Sequence, residues 1–191
     1  MKRHSSRRSA DNLILLVAFF VIAITSAAFS LAHANRNRNI LVTSAGVYFS
    51  PKGGCTAAIV NAISQAQNEV LVQAYSFTST PIAKALVKDQ QRGIHTEIIL
   101  DKSNRGEKYS AGDFTAHMGI PTYIDSRHSI AHNKVMIIDR HIVITGSFNF
   151  SKAAEESNAE NLLIIDSQEL AKAYIDNWEA HKDHSEPYTG R

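Results

Sequence analysis

His132-Asn133-Lys134-Val135-Met136-Ile137-Ile138-Asp139 is an apolar run headed by an imidazole and a cation and closed by an anion. Gly146-Ser147-Phe148-Asn149 follows it after six residues. Val135 to Ile138 and Ile142 to Thr145 are separated by Asp139-Arg140-His141, a spacing that suits a β-hairpin. Side chains alternate faces along a strand, so His132 and Lys134 project from the same side of the strand start. An imidazole and a fixed cation at one place suit an anionic centre such as a phosphodiester. Lysine neutralises nonbridging oxygens, and histidine attacks or protonates. Ser147 and Asn149 can add neutral donors, and the glycine before them allows close backbone approach. Asp139 lies five residues from Lys134, on the opposite strand parity, and reads as structural.

Upstream, strand and helix signals alternate. Val47 to Phe49 is a short strand stopped by Pro51 and Gly53-Gly54. Thr56 to Gln67 follows as a helix, with Ala57, Val60, Ile63 and Ala66 on one face. Val70 to Tyr75 is a buried strand, and Thr80-Pro81 opens a helix that closes near Arg92-Gly93. His95 to Leu100 is a strand, Tyr109 to His117 a helix, and Pro121 precedes a strand through Ile124. Downstream of the hairpin come a strand over Asn161 to Ile165 and a helix over Gln168 to His181. That helix places Leu170, Tyr174 and Trp178 in the core. The alternation predicts an α/β fold with a mixed, mostly parallel sheet flanked by helices.

The chain has 191 residues, with 20 Lys and Arg against 18 Asp and Glu. Four of those cations and one anion lie in residues 1–34, which leaves 16 against 17 for residues 35–191. The mature part is therefore near neutral, and a general basic surface for nucleic acid is excluded. Its charge is split: residues 35–140 hold 12 cations and 8 anions, and residues 141–191 hold 4 and 9. An anionic ligand belongs nearer the first part.

Residues 1–34 combine a cationic start, the apolar stretch Leu13 to Phe29 and a small-residue site at Ala32-His33-Ala34. This is the layout of a signal peptide, with an uncleaved N-terminal membrane anchor as the alternative. Either places residues 35–191 outside the cytoplasm, periplasmic or secreted. The lone Cys55 excludes an intrachain disulfide and reads as a small residue at a helix start.

The joint pattern, H-x-K, four residues, Asp, six residues, G-S-x-x-N, resembles the phospholipase D superfamily signature without a departure. Val47 to Pro51, Ala74 to Thr78, Leu100 to Arg105 and Asn158 to Asn161 extend the similarity to small single-motif bacterial endonucleases of that family. It covers roughly residues 45–182. The resemblance implies that His132 is a covalent nucleophile and that Lys134 and Asn149 bind phosphate oxygens with support from Ser147. Glu160 matches the family's downstream acid and would orient the His132 ring. Two-step chemistry needs two such histidines. Lys follows two residues after His132 alone, so a homodimer with one site at its twofold interface is expected.

His128 and His132, four apart, could hold zinc on a helix. The segment has no helical pattern and Lys134 already supplies positive charge, so neither metal nor cofactor is expected. Lys102, Arg105 and Arg127 are candidate contacts to flanking phosphates, or ordinary loop charges. Tyr75 and Phe77 belong to the core or rim, with base stacking as the alternative. The expected activity is metal-independent hydrolysis of nucleic acid, DNA or RNA. The alternatives are a phospholipase acting on lipid headgroups and a non-catalytic binding module. The intact set of His132, Lys134, Ser147, Asn149 and Glu160 argues against the last.

Overall fold

Along β2 (Glu69–Ala74) every side chain from Val70 to Ala74 is buried, so this strand is covered on both faces. The computed structural model describes residues 40–191 with the exception of Tyr109. The leader expected over residues 1–34 lies outside the described residues. Ile40–Arg191 forms one compact unit.

The chain runs β1 (Ser44–Phe49), α1 (Cys55–Ser64), β2, α2 (Thr80–Gln91), β3 (His95–Asp101) and a 3-10 turn over Lys102–Arg105. It continues through α3 (Ala111–His117), β4 (Thr122–Asp125), β5 (Lys134–Ile138) and β6 (Ile142–Gly146). The last elements are α4 (Lys152–Glu156), β7 (Asn161–Asp166), α5 (Gln168–Lys182) and β8 (Glu186–Tyr188). All eight strands form one sheet in the order β1-β7-β6-β5-β2-β3-β4-β8.

Strand parity sorts the core into two layers. Val70, Val72, Ile98, Leu100, Met136, Ile138 and Ile144 face one side, where Ile59 and Ile63 of α1 and Ile82 and Leu86 of α2 cover them. Leu71, Ile99, Val135, Ile137 and Val143 face the other, beneath Ala171, Ile175 and Trp178 of α5. Trp178 anchors that helix through its indole N–H, which donates to the Val72 carbonyl at 2.9 Å. Leu170 and Tyr174 pack against the same layer, as the helical spacing predicts.

The sheet is mixed, as expected, but it is not mostly parallel. Among the strand ladders of the described residues, parallel pairing is confined to β2 with β3 and β3 with β4. The ladders β1–β7, β7–β6, β6–β5, β5–β2 and β4–β8 are all antiparallel. The helical crossovers from β2 to β3 and from β3 to β4 join strands that lie side by side, whereas those from β1 to β2 and from β7 to β8 join strands that are not neighbours. β5 and β6 are instead joined by a tight turn in which Asp139 and Arg140 take φ of 50° and 60°. The His141 N–H closes this turn on the Ile138 carbonyl at 3.2 Å. Two left-handed central residues match the right-handed twist of a hairpin.

Asp139 fixes this corner. Its carboxylate accepts N–H bonds from Gln67, Asn68 and Glu69 at 2.8, 2.7 and 3.0 Å, tying the α1–β2 loop to the hairpin. Cys55 is fully buried at the start of α1, and burial pushes its thiol above the ordinary value, as suits an inert packing residue. Among the described residues no helix is long and apolar enough to cross a membrane.

Candidate active site

Antiparallel pairing of β2 with β5 sets Ala74 opposite Lys134. The carboxyl end of β2, the start of β5, the end of β6 and the start of β7 therefore share one end of the sheet. Tyr75, Lys134, Gly146 and Asn161 all lie there, while Asp139 sits at the far end of β5. β5 begins at Lys134, so His132 precedes the strand in an extended segment and is exposed to solvent.

Tyr75 joins the two residues of the H-x-K pair. Its ring centroid lies 4.5 Å from that of His132, and the Lys134 ammonium lies 5.1 Å from the ring centroid. Tyr75 N–H donates to the Asn133 carbonyl at 2.8 Å, locking the intervening residue. Sequence reasoning left Tyr75 between core, rim and base stacking; it is half-buried and packs against both site residues.

Lys134 is only 7% exposed, and its ammonium donates to the His132 carbonyl at 2.9 Å. Burial pushes Lys134 below its ordinary pKa, and the nearby Glu160 carboxylate opposes that shift. Glu160 accepts from Asn158 Nδ2 at 3.1 Å. Its backbone N–H donates to Ser50 Oγ at 3.2 Å, and that hydroxyl donates to the Asn158 carbonyl at 2.9 Å. The Glu160 carboxylate thus lies near enough to Lys134 to favour its charged form, and its side chain accepts a hydrogen bond from Asn158.

Ser147 Oγ accepts from the Asn161 backbone N–H at 3.0 Å and from Asn161 Nδ2 at 3.3 Å. With its oxygen accepting from two donors, the hydroxyl keeps its own proton to donate. Gly146 has φ 143°, and a Cβ there would overlap the Asn161 carbonyl oxygen, so the turn into Ser147 requires glycine. Asn149 Oδ1 is buried without a hydrogen-bond partner. Phe148 and Phe150, fully buried, flank it and fix its backbone. A half-buried amide whose oxygen has no partner is a pattern of binding sites rather than of cores.

The loop that presents His132 is held from β3. Asp101 is 3% exposed, and its Oδ2 accepts the Ala131 N–H at 2.7 Å. Lys102 Nζ donates to the His128 carbonyl at 2.9 Å. Arg105 pairs with Glu186 at 2.8 Å, and Arg127 is exposed with its backbone N–H on Asp125 Oδ1 at 3.1 Å. Of the three basic candidates, two thus have intramolecular duties.

His128 does not join His132. Instead it meets Asp125, His181 and His184, whose ligating atoms all lie within 4.8 Å of one another. Burial raises the Asp125 pKa, but hydrogen bonds from His181, His128 and the Arg127 N–H, with the His184 imidazole close by, outweigh it and hold the carboxyl at about 2. The sequence reading expected no metal-ligating set. The available signal was the pair D-x-x-H at 125–128 and H-x-x-H at 181–184, separated too widely for local spacing to connect them.

An exposed imidazole, a buried ammonium, a serine hydroxyl and an asparagine amide toward one end of the sheet form a site suited to phosphodiester chemistry. Known proteins agree. The family described as "Cardiolipin synthase, PLD-like domain" matches residues 59–182. A protein named phospholipase D from Rickettsia felis is 42% identical over 156 residues, covering 82% of this chain and 78% of its own. The crystal structure of Nuc, a phospholipase D family member from Salmonella typhimurium, matches with a TM-score of 0.74 at 37% identity. The match covers 76% of this chain and 97% of Nuc. NucT from Helicobacter pylori matches with a TM-score of 0.68 at 26% identity, covering 76% of this chain and 99% of NucT. The chain belongs to the phospholipase D superfamily and is a phosphodiesterase of that group.

Proposed function

We propose that this protein is a metal-independent endonuclease that hydrolyses DNA, and RNA as a second substrate, as a homodimer outside the cytoplasm. The observation that carries the reading is the pairing of the exposed His132 imidazole with the buried Lys134 ammonium across Tyr75. The site sits in a fold that covers nearly all of Nuc. A ring nitrogen of His132 attacks phosphorus, forming an N–P bond as the P–O bond to the leaving group breaks. His132 of a second copy of the chain gives the leaving oxygen its proton. That second imidazole then takes a proton from water as the water oxygen attacks phosphorus, and the N–P bond breaks to restore His132. Lys134, Ser147 and Asn149 neutralise and hydrogen-bond the nonbridging oxygens, and Glu160 keeps Lys134 charged despite its burial. The leader exports the domain; N-terminal sequencing of the exported chain checks this, and an intact Met1 in a cytosolic fraction contradicts it.

A second reading, hydrolysis of phospholipid headgroups, is favoured by the name phospholipase D carried by the Rickettsia felis relative. One panel separates the two: plasmid DNA, single-stranded DNA, RNA and phosphatidylcholine, with chelator present, using wild type and His132→Ala. The nuclease reading expects cleavage of nucleic acid by wild type and none by the variant. Lipid turnover alone overturns it, and an active monomer in ultracentrifugation overturns the dimer.

A further inference from the structure

Beyond the phosphodiesterase site, the carboxyl end of β4 carries a second cluster. Asp125 is fully buried, and three imidazoles converge on its carboxylate. His128 Nδ1 lies 3.0 Å from Oδ2, His181 Nδ1 lies 2.7 Å from Oδ2, and His184 Nε2 lies 3.4 Å from Oδ1. The three rings form a triangle with centroid separations of 4.8, 5.2 and 5.3 Å. β4 stands three strands from β5 in the sheet. A strand spacing of about 4.8 Å puts the cluster roughly 14 Å from Lys134 along the sheet.

We infer that Asp125, His128, His181 and His184 form a binding site for one divalent cation of the zinc type. Three imidazoles and one carboxylate are a donor set that zinc favours in a closed four-coordinate site. The separations fit as well. Bonds of about 2.0–2.1 Å set tetrahedral ligand atoms roughly 3.3 Å apart, and the three nitrogen–oxygen distances bracket that value. The remaining spread, up to 4.8 Å between ligand atoms, closes by small rotations of the rings. A second observation points the same way: His184 Nε2 is buried, and its 3.4 Å approach to Asp125 Oδ1 lacks hydrogen-bond geometry. A hydrogen-bonded cluster would satisfy that nitrogen, whereas a cation at the centre uses its lone pair.

The four ligands come from β4, from the loop leading to His132, and from the end of α5 with the turn into β8. A bound cation would join these three segments. The same loop is already fixed at the His128 carbonyl by Lys102 and at Ala131 by Asp101. The cation therefore acts as a clamp on the segment that presents His132. Being strands away from Lys134, it takes no part in the phosphodiester chemistry, and the proposal stands independently of the substrate.

The test uses the full chain stripped with chelator, then titrated with Zn²⁺ or Co²⁺, beside His181→Gln/His184→Gln. The expected result is one equivalent of zinc per chain, and intense visible bands of tetrahedral Co²⁺. A rise of about 10 °C in melting midpoint is expected at cation concentrations far above Kd. The variant loses all three, and its remaining uptake measures binding by histidines elsewhere, including the leader. Equal uptake by wild type and variant, or a wild-type midpoint that changes with pH but not with zinc, overturns the site. If the double variant does not fold, the wild-type cobalt spectrum decides: octahedral bands or none reject the proposal.

Discussion

Replacing Asp139 tests whether the signature's only carboxylate is part of the chemistry or part of the scaffold. Three N–H groups donate to it at 2.7–3.0 Å. A hydrogen bond to a charged group contributes about 1.5–3 kcal/mol. Three donors share one half-buried carboxylate, so the set is worth about 2–4 kcal/mol rather than their sum. Alanine at φ 50° adds about 1 kcal/mol of left-handed strain. Asp139→Ala should therefore cost about 3–5 kcal/mol, and Asp139→Asn, which tolerates the turn and keeps one acceptor, about 1–2 kcal/mol. For a domain of this size the alanine variant should melt about 10 °C lower or more.

The loss also has a pH signature. Burial raises the Asp139 pKa, but the Glu69, Gln67 and Asn68 N–H donors outweigh it and hold the carboxyl below its ordinary 3.8. A depressed folded-state value means that the stabilisation is complete above the unfolded value and disappears as pH falls through the folded one. The gap between wild type and Asp139→Asn should be constant near neutrality and close below about pH 4. Thermal melts across pH measure the gap, with turnover read well below each midpoint. A folded Asp139→Asn protein without turnover, or an Asp139→Ala protein with an unchanged midpoint, would refute the scaffold role.

Three further outcomes follow from the geometry. Gly146→Ala forces a Cβ against the Asn161 carbonyl and should lower stability by at least about 2 kcal/mol with loss of turnover; a melt and an activity assay on one preparation check it. Trp178→Ala removes a side chain that is 3% exposed and its bond to Val72. It should cost about 3–5 kcal/mol in denaturant unfolding. Burial places Lys134 below its ordinary 10.5 and Glu160 opposes this. Its charge is lost as pH rises through that lowered value, so the alkaline limb of kcat/KM should fall below pH 10.5. Glu160→Gln should move the limb to lower pH; a limb that stays in place rejects the coupling.

The strands from Val47 to Ile165 were legible because each carries its pattern within five or six residues. Glycine and proline mark their ends, and Gly93 and Gly119 take φ of 87° and 86° beyond α2 and α3. The candidate site residues were legible from the joint H-x-K and G-S-x-x-N spacing together with the resemblance it carries. The 3-10 turn at Lys102–Arg105, the short α4 and the edge strand β8 were not. The first two are barely one helical turn and β8 is a three-residue edge strand, so none carries a repeating pattern, and they form because neighbours supply partners. Glu155 of α4, for instance, accepts the Gly54 and Thr56 N–H groups at 3.0 and 2.7 Å, capping α1 from 101 and 99 residues away.

The sequence by itself determined most of the strands and helices, and the spacing by which His132, Lys134, Ser147 and Asn149 resemble the phospholipase D signature. These are local matters, governed by backbone preference and side-chain alternation. Only the tertiary structure decided that most ladders are antiparallel, that Tyr75 joins His132 to Lys134, that Glu160 lies near the lysine, and that Asp125 gathers three histidines. Each depends on residues tens of positions apart meeting at one end of the sheet, and strand order, which no local pattern encodes, fixes that meeting.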